Sequence, residues 1–152
     1  MKIYLATDHA GFEFKEEIKT FLLAKGFEIE DCGAFSYDEH DDYPDFIAKA
    51  AEKISKDPQN SMGIIFGKSG AGEEIVANKF KNVRAIIGFS KQNVELSRIH
   101  NDANVLSLGS DFVDFAKAKE LVILFLETPF SNGPRHIRRI NKIKQIENKN
   151  YV

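Results

Sequence analysis

Short segments with the pattern of β-strands alternate with helical segments along the whole chain of 152 residues. The predicted strands cover residues 3–6, 27–32, 62–66, 85–88 and 105–109. Helical patterns follow them over about 14–22, 44–56, 73–79, 90–100 and 115–127. Parallel strands need helical crossovers of this kind, and each right-handed crossover lays its helix on one face of the sheet. The alternation therefore predicts an α/β fold, a three-layer α/β/α sandwich around a five-stranded parallel sheet.

No low-complexity stretch and no internal repeat interrupts the alternation, so we predict a single domain over residues 1–152. A last helix is predicted from about residue 134, because Pro134 suits the first turn of a helix. Its isoleucines form a broad apolar face, and basic residues dominate the other positions of the helix. These isoleucines are Ile137, Ile140, Ile143 and Ile146. The last predicted element is thus a basic, amphipathic helix.

Charge and hydropathy exclude several classes of protein. Lysine plus arginine number 21 against 23 for aspartate plus glutamate, and a net charge of −2 argues against general binding to nucleic acid or anionic lipid. The longest apolar run, residues 121–126, is far below the ~18 residues of a membrane span. Cys32 is the only cysteine, and Asp8 and His9 interrupt the sequence before a secretory apolar segment could form. We therefore expect a cytoplasmic protein without disulfides.

The glycine-rich segment 67–72, Gly-Lys-Ser-Gly-Ala-Gly, follows the third predicted strand, and Asp8 and His9 follow the first. In an open parallel sheet ligands bind beyond the carboxyl ends of the strands, so these residues are expected to share a pocket. Backbone N–H groups of such a turn suit an anion or a transient oxyanion. The alternative interpretation is an ordinary tight connection, because glycine is common in strand-to-helix turns.

Spacing excludes two nucleotide-binding motifs. A phosphate loop needs four residues between its first glycine and the Gly-Lys pair, but the residue at that position is Met62. The dinucleotide fingerprint fails as well, because Gly70-Ala71-Gly72 is followed by Ile75 where the third glycine belongs. Neither kind of nucleotide site is therefore predicted.

Glu73 follows the turn directly, which places a carboxylate beside N–H donors. This pair suits proton abstraction next to a carbonyl, since the carboxylate can take the proton while the turn stabilises the enolate oxygen. Alternatively, Glu73 and Glu74 only stabilise the first helical turn through the helix dipole.

Three histidines, His9, His100 and His136, occur in polar clusters. An imidazole can exchange protons near neutral pH, although a histidine at a helix end is often only a cap or a surface residue. No histidine or cysteine pair has metal-ligand spacing, so no metal is predicted. Arg135 and Arg139 lie four residues apart and could together bind a phosphate, or they could belong to a solvated basic face.

Six motifs occur in order between residues 1 and 143. They are Asp8-His9-Ala10-Gly11, Asp42-Tyr43-Pro44, Gly67 to Glu73, Ala77-Asn78-Lys79, His100-Asn101-Asp102-Ala103-Asn104 and Arg135-His136-Ile137-Arg138-Arg139. At these separations the chain resembles the B-type ribose-5-phosphate isomerases and the related galactose-6-phosphate isomerase subunits. Several motifs at matching separations are far more specific than any one of them.

The resemblance implies a Rossmann-like or flavodoxin-like sandwich and a homodimer, or a dimer of such dimers, with active sites between subunits. It also implies an aldose–ketose isomerase without metal or cofactor. The expected reaction interconverts D-ribose 5-phosphate and D-ribulose 5-phosphate through a cis-enediolate, in the pentose phosphate pathway. Isomerisation of a six-carbon sugar phosphate, such as allose or galactose 6-phosphate, is the alternative. A sugar-phosphate-binding subunit without catalysis is another.

The resemblance also implies roles for single residues. Many members of the family carry a cysteine base at the end of the third strand, where this chain has Gly67. One branch uses a glutamate after the glycine turn, which makes Glu73 the expected base and leaves Cys32 structural. His100 is expected to open the sugar ring, and Ser69 is the third expected catalytic residue. The implied substrate contacts are Asp8, His9, Tyr43, Lys68, Gly70, Ala71, Gly72, Asn101, Arg135 and Arg139.

One position departs from the family pattern. Asp111 stands where the family usually has a phosphate-binding arginine. A carboxylate repels phosphate, so we expect a phosphate site that is shifted, weakened or completed by another cation such as Lys68.

Overall fold

A computed structural model describes residues 1–151 as strands and helices in alternation. The strands are β1 (Lys2–Thr7), β2 (Glu28–Asp31), β3 (Ser61–Gly67), β4 (Ala85–Ile87) and β5 (Val105–Gly109). The helices are α1 (Phe12–Ala24), α2 (Tyr43–Lys56), α3 (Ala71–Ala77), α4 (Lys91–Asn101), α5 (Phe115–Glu127) and α6 (Pro134–Asn150). A short 3-10 turn over His9–Gly11 leads into α1.

The strands form one parallel sheet in the order β2-β1-β3-β5-β4. Successive side chains of a strand point to opposite faces, so each strand supplies both cores. Ile64 and Phe66 pack with the apolar residues of α1, α4 and α5, whereas Ile65 packs with those of α2 and α3. The predicted α/β/α sandwich with a five-stranded parallel sheet is therefore confirmed.

Local hydrogen bonds explain where several helices begin. Side chains cap the N-termini of α4 and α5, because the Ser90 hydroxyl accepts the Asn93 N–H and the Asp114 carboxylate accepts the Lys117 N–H. Helix α3 begins two residues earlier than the spacing predicts. Gly70 causes this difference, since its left-handed backbone, φ 81°, completes the turn before Ala71.

Helix α6 lies against α4 but buries little of its predicted apolar face. Ile140 is 7% exposed, whereas Ile137, Ile143 and Ile146 are 41%, 39% and 58% exposed. The α6 surface available to solvent is therefore partly apolar. Among the described residues, none of the helices combines the length and the apolar character that a membrane crossing requires.

The parallel sheet separates two groups of loops. The carboxyl end of the sheet is where all five strands end, and the amino end is where they begin. The five residues of β5, at about 3.3 Å each, set these ends roughly 16 Å apart. This separation decides which candidate site residues of one chain can meet.

Candidate active site

The loop after β5 holds the glycine-rich turn at the carboxyl end of the sheet. The Asp111 N–H donates to the Lys68 carbonyl, with 3.0 Å between nitrogen and oxygen. The Ser107 hydroxyl donates to the Gly70 carbonyl at 2.7 Å. Two neighbouring segments therefore fix the turn, and Asp111 lies beside Lys68.

Ser69 is exposed at the tip of this turn. Its hydroxyl accepts a hydrogen bond from the Ala71 N–H at 3.2 Å. Gly109 packs directly against the Ser69 backbone, because a Cβ at position 109 would overlap the Ser69 carbonyl. The contact fixes the backbone of Ser69 while its hydroxyl stays accessible.

The Glu73 carboxylate lies over Gly67. A Cβ at position 67 would overlap the Glu73 carboxylate carbon and both of its oxygens. The absence of a side chain at the end of β3 is thus what allows the carboxylate to reach this place. The acid occupies the space into which a side chain at position 67 would project.

Burial raises the pKa of the Glu73 carboxyl above its ordinary range, and the nearby negative charge of Asp8 acts in the same direction. A hydrogen bond from the backbone N–H of Glu73 opposes these effects. The side chain is nearly buried, with 4% of the residue exposed. A carboxylate with a raised pKa is a stronger proton acceptor than an ordinary one, which suits a general base.

Tyr43, the first residue of α2, packs against the same turn. A Cβ at Gly72 would lie 2.6 Å from Cζ and 2.8 Å from the hydroxyl oxygen of Tyr43. The missing side chain at Gly72 therefore brings the Tyr43 hydroxyl to the start of α3, within the same region as Glu73.

Asp8 and His9 occupy the carboxyl end of β1, and Asp41 fixes His9. The Asp41 Oδ1 accepts hydrogen bonds from the His9 backbone N–H at 2.9 Å and from the His9 ring Nδ1 at 2.7 Å. The hydrogen bond that the His9 ring donates to Asp41 raises the pKa of His9, as does the charge of Asp8, while burial opposes both. His9 also lines a cleft of about 310 Å³ with Tyr37 and Ser110.

Sequence reasoning did not single out Asp41, although it directly precedes the Asp42-Tyr43-Pro44 motif. Its Oδ2 is buried without a hydrogen-bond partner among the described residues. Asp8, His9 and Asp41 offer ligand atoms within 4.8 Å of one another. The hydrogen bond between His9 Nδ1 and Asp41 Oδ1 joins two of these three groups directly.

The only cysteine cannot replace Glu73 as a base. Cys32 is 5% exposed in the loop after β2. Burial raises the pKa of its thiol to about 11, so the thiol stays protonated at neutral pH.

A second group of candidate residues lies at the amino end of the sheet. His100 and Asn101 close α4 just before β5, and the Asn101 carbonyl accepts a hydrogen bond from Arg84, the residue before β4. Arg135 lies in the first turn of α6, and Arg139 lies one turn further along. The His100 ring stacks on that of His136, with 4.5 Å between ring centroids and 12° between ring planes.

The predicted site residues thus form two groups in one chain. Those at the carboxyl end are Asp8, His9, Tyr43, Lys68, Ser69, Gly70, Ala71, Gly72 and Glu73. Those at the amino end are His100, Asn101, Arg135 and Arg139. Because the length of the sheet separates them, Glu73 and His100 of the same chain do not meet.

The chain is similar to known proteins over nearly its whole length. A family model described as Ribose/Galactose Isomerase matches residues 3–143. The chain is 44% identical to ribose-5-phosphate isomerase B of Mycolicibacterium paratuberculosis over 147 residues, which covers 97% of this chain and 92% of the relative.

Two solved structures resemble the whole chain. Ribose-5-phosphate isomerase B from Mycoplasma genitalium, with bound ribulose-5-phosphate, superposes with a TM-score of 0.93 at 39% identity over 97% of this chain and 96% of that one. The Clostridium thermocellum ribose-5-phosphate isomerase B superposes with a TM-score of 0.92 at 39% identity over 98% and 99%. The chain therefore belongs to the ribose/galactose isomerase family.

Proposed function

We propose that this chain is an aldose–ketose isomerase that interconverts D-ribose 5-phosphate and D-ribulose 5-phosphate in the pentose phosphate pathway of the cytoplasm. The observation that carries the proposal is the buried Glu73 carboxylate over Gly67. The relatives support the choice of sugar, since they are named ribose-5-phosphate isomerase B and one holds ribulose-5-phosphate.

Glu73 is the general base of this reaction. It removes the proton from C2 of the open aldose, and the electron pair forms a cis-enediolate with the C1 carbonyl. Return of the proton to C1, with transfer of a hydroxyl proton between O2 and O1, gives the ketose. The turn 68–72 holds the carbonyl end, and the Ala71 N–H orients the Ser69 hydroxyl, which donates its proton to a substrate oxygen.

Residues from two copies of the chain form the complete site. Ring opening by His100 and proton abstraction by Glu73 act on the same sugar, yet these residues lie at opposite ends of one sheet. A second copy supplies the missing group. An apolar hollow of about 380 Å³ beside Ser69 supports this assembly, because its exposed Phe89 and Phe112 offer apolar surface for a second copy to cover.

Co-expression of two inactive variants tests the shared site. A homodimer of Glu73→Gln or of His100→Asn carries two defective sites. In a mixed dimer one site carries both changes and the other carries neither. Random pairing should therefore restore about one quarter of wild-type activity, because half of the dimers are mixed and half of their sites are intact. Activity no higher than that of either variant alone would contradict a site shared between copies.

Arg135 and Arg139 bind the phosphate in this proposal. Both are exposed and lie on one face of α6. Asp111 lies at the carboxyl end of the sheet, where its backbone N–H donates to the Lys68 carbonyl, and Lys68 is a cation in this region that completes the phosphate site.

Replacing Arg135 or Arg139 with alanine should raise the KM for ribose 5-phosphate about 10- to 100-fold each, the loss expected for hydrogen bonds to a charged group. Competitive inhibition by inorganic phosphate should weaken in parallel. Lys144→Ala, in an exposed part of α6, is the matched control. An unchanged KM in the double variant would show that the basic helix is only a solvated face.

A panel of aldose phosphates tests the proposed substrate. Ribose 5-phosphate should be turned over faster than allose 6-phosphate or galactose 6-phosphate, because a longer sugar moves its phosphate outward relative to Glu73. Faster turnover of a six-carbon sugar phosphate would show that ribose 5-phosphate is the wrong substrate. Binding of ribose 5-phosphate without ketose formation would instead identify a non-catalytic subunit.

A further inference from the structure

One buried side chain, His136, connects two groups at the amino end of the sheet. Its ring stacks on His100 at 4.5 Å and 12°, and its Nε2 accepts a hydrogen bond from the Arg135 Nε–H at 3.4 Å. Only 8% of His136 is exposed, although it lies on a helix that is otherwise largely open to solvent. The same imidazole therefore contacts the proposed ring-opening residue and a proposed phosphate ligand.

The surroundings of His136 determine its proton state. An arginine Nε can only donate, so the Nε2 of His136 must be the unprotonated nitrogen. Burial lowers the pKa of His136, and the positive charges of Arg135 and Arg139 lower it further. At the end of α4, Arg98 and Asp102 form an ion pair with each other, with 2.9 Å between Nη1 and Oδ1. His136 is consequently neutral at physiological pH.

The loop before α6 fixes His136 on α4. The Ser131 hydroxyl and N–H both donate to the Ile99 carbonyl, at 2.7 and 3.2 Å. A Cβ at Gly133 would lie 3.0 Å from Cδ2 of His136, so this glycine leaves room for the ring. These contacts place the imidazole against the last turn of α4 rather than in solvent.

We propose that His136 is a positioning residue of the isomerase: its ring holds His100 in the orientation that ring opening requires, and its Nε2 holds the Arg135 guanidinium for phosphate. The inference rests on the proposed function. A neutral ring is needed in this place because His100 becomes an imidazolium when it takes the anomeric proton. A second imidazolium 4.5 Å away would repel that charge.

Two variants separate the two contacts of His136. His136→Phe keeps an aromatic ring for stacking but has no acceptor for Arg135. His136→Asn keeps a carbonyl acceptor but has no ring. His40→Asn is the matched control, because His40 is a surface histidine whose side chain is 86% exposed.

The two variants should differ in which kinetic constant changes. His136→Asn should lower kcat for ribose 5-phosphate roughly 10- to 100-fold, since a misplaced catalytic group costs about that much. Deuterium exchange at C1 of ribulose 5-phosphate, which needs no ring opening, should stay close to wild type. His136→Phe should keep kcat and raise the KM for ribose 5-phosphate. In ligand-free protein, the ring-current shift of the His100 Cε1 proton should persist in His136→Phe and disappear in His136→Asn.

These outcomes distinguish the inference from the proposed function. Wild-type protein that does not isomerise ribose 5-phosphate would overturn the function itself. An active wild type, with His136→Asn and His136→Phe both matching its kcat and KM, would overturn only the positioning role. Equal loss of isomerisation and C1 exchange in His136→Asn would also overturn it, because that result indicates general damage to the site.

Discussion

Replacing Glu73 with glutamine is expected to lower kcat by roughly 10²–10⁴, the usual contribution of a positioned general base. The amide has nearly the shape of the carboxylate, so it should still fit over Gly67 and leave the fold and substrate binding intact. Glu74→Gln is the matched control, since Glu74 belongs to the same helical turn but its carboxylate meets the backbone of Ile87. Equal losses in both variants, or none in Glu73→Gln, would remove Glu73 from the role of base.

The pH profile gives independent evidence for the same residue. Only ionised Glu73 can accept a proton, and burial raises the pKa of its carboxyl. Activity should therefore be present above that raised pKa and should fall as the pH decreases through it. The acid limb of kcat/KM should lie above the value of about 4.3 for an ordinary glutamate.

Replacing His100 with asparagine is expected to slow the conversion of ribose 5-phosphate roughly 10²-fold or more. This aldose is mainly a furanose, and its ring opens when a proton moves from the anomeric hydroxyl to the ring oxygen. An imidazole can move that proton near neutral pH, whereas an amide cannot. The loss should appear in kcat for the aldose.

Ribulose 5-phosphate separates ring opening from proton abstraction. It cannot close a five-membered ring onto C2, because its C5 oxygen is phosphorylated, so it reaches the enzyme already open. Exchange of its C1 proton with deuterated water should need Glu73 but not His100. If His100→Asn abolished this exchange, His100 would do more than open the ring.

The sheet was predictable because its signal is repeated along the chain. Each predicted strand carries apolar residues and each following helix has an apolar face, so errors at single boundaries did not change the architecture. The start of α3 depends on one left-handed residue, Gly70, whose conformation the helical pattern does not contain. The exposed isoleucines of α6 differ from their pattern because α4 covers only part of that helix.

The candidate site was less predictable because its contacts join distant segments. Spacing brought Glu73 and the glycine turn together, since they are neighbours in sequence. The hydrogen bonds of Asp41 to His9 cross 32 positions, and the stacking of His136 on His100 depends on how two helices meet. The hydrophobic pattern of a single segment does not encode contacts between distant segments. His136 in particular has the sequence surroundings of a surface residue but is buried.

The formation of ribose 5-phosphate from ribulose 5-phosphate in deuterated water tests the isomerase and its base in one experiment. The purified wild-type protein should form ribose 5-phosphate with deuterium at C2 and exchange the C1 proton of the remaining ketose. Glu73→Gln should do both roughly 10²–10⁴ times more slowly. Wild-type protein that forms no ribose 5-phosphate, or a Glu73→Gln variant that forms it at the wild-type rate, would contradict the account.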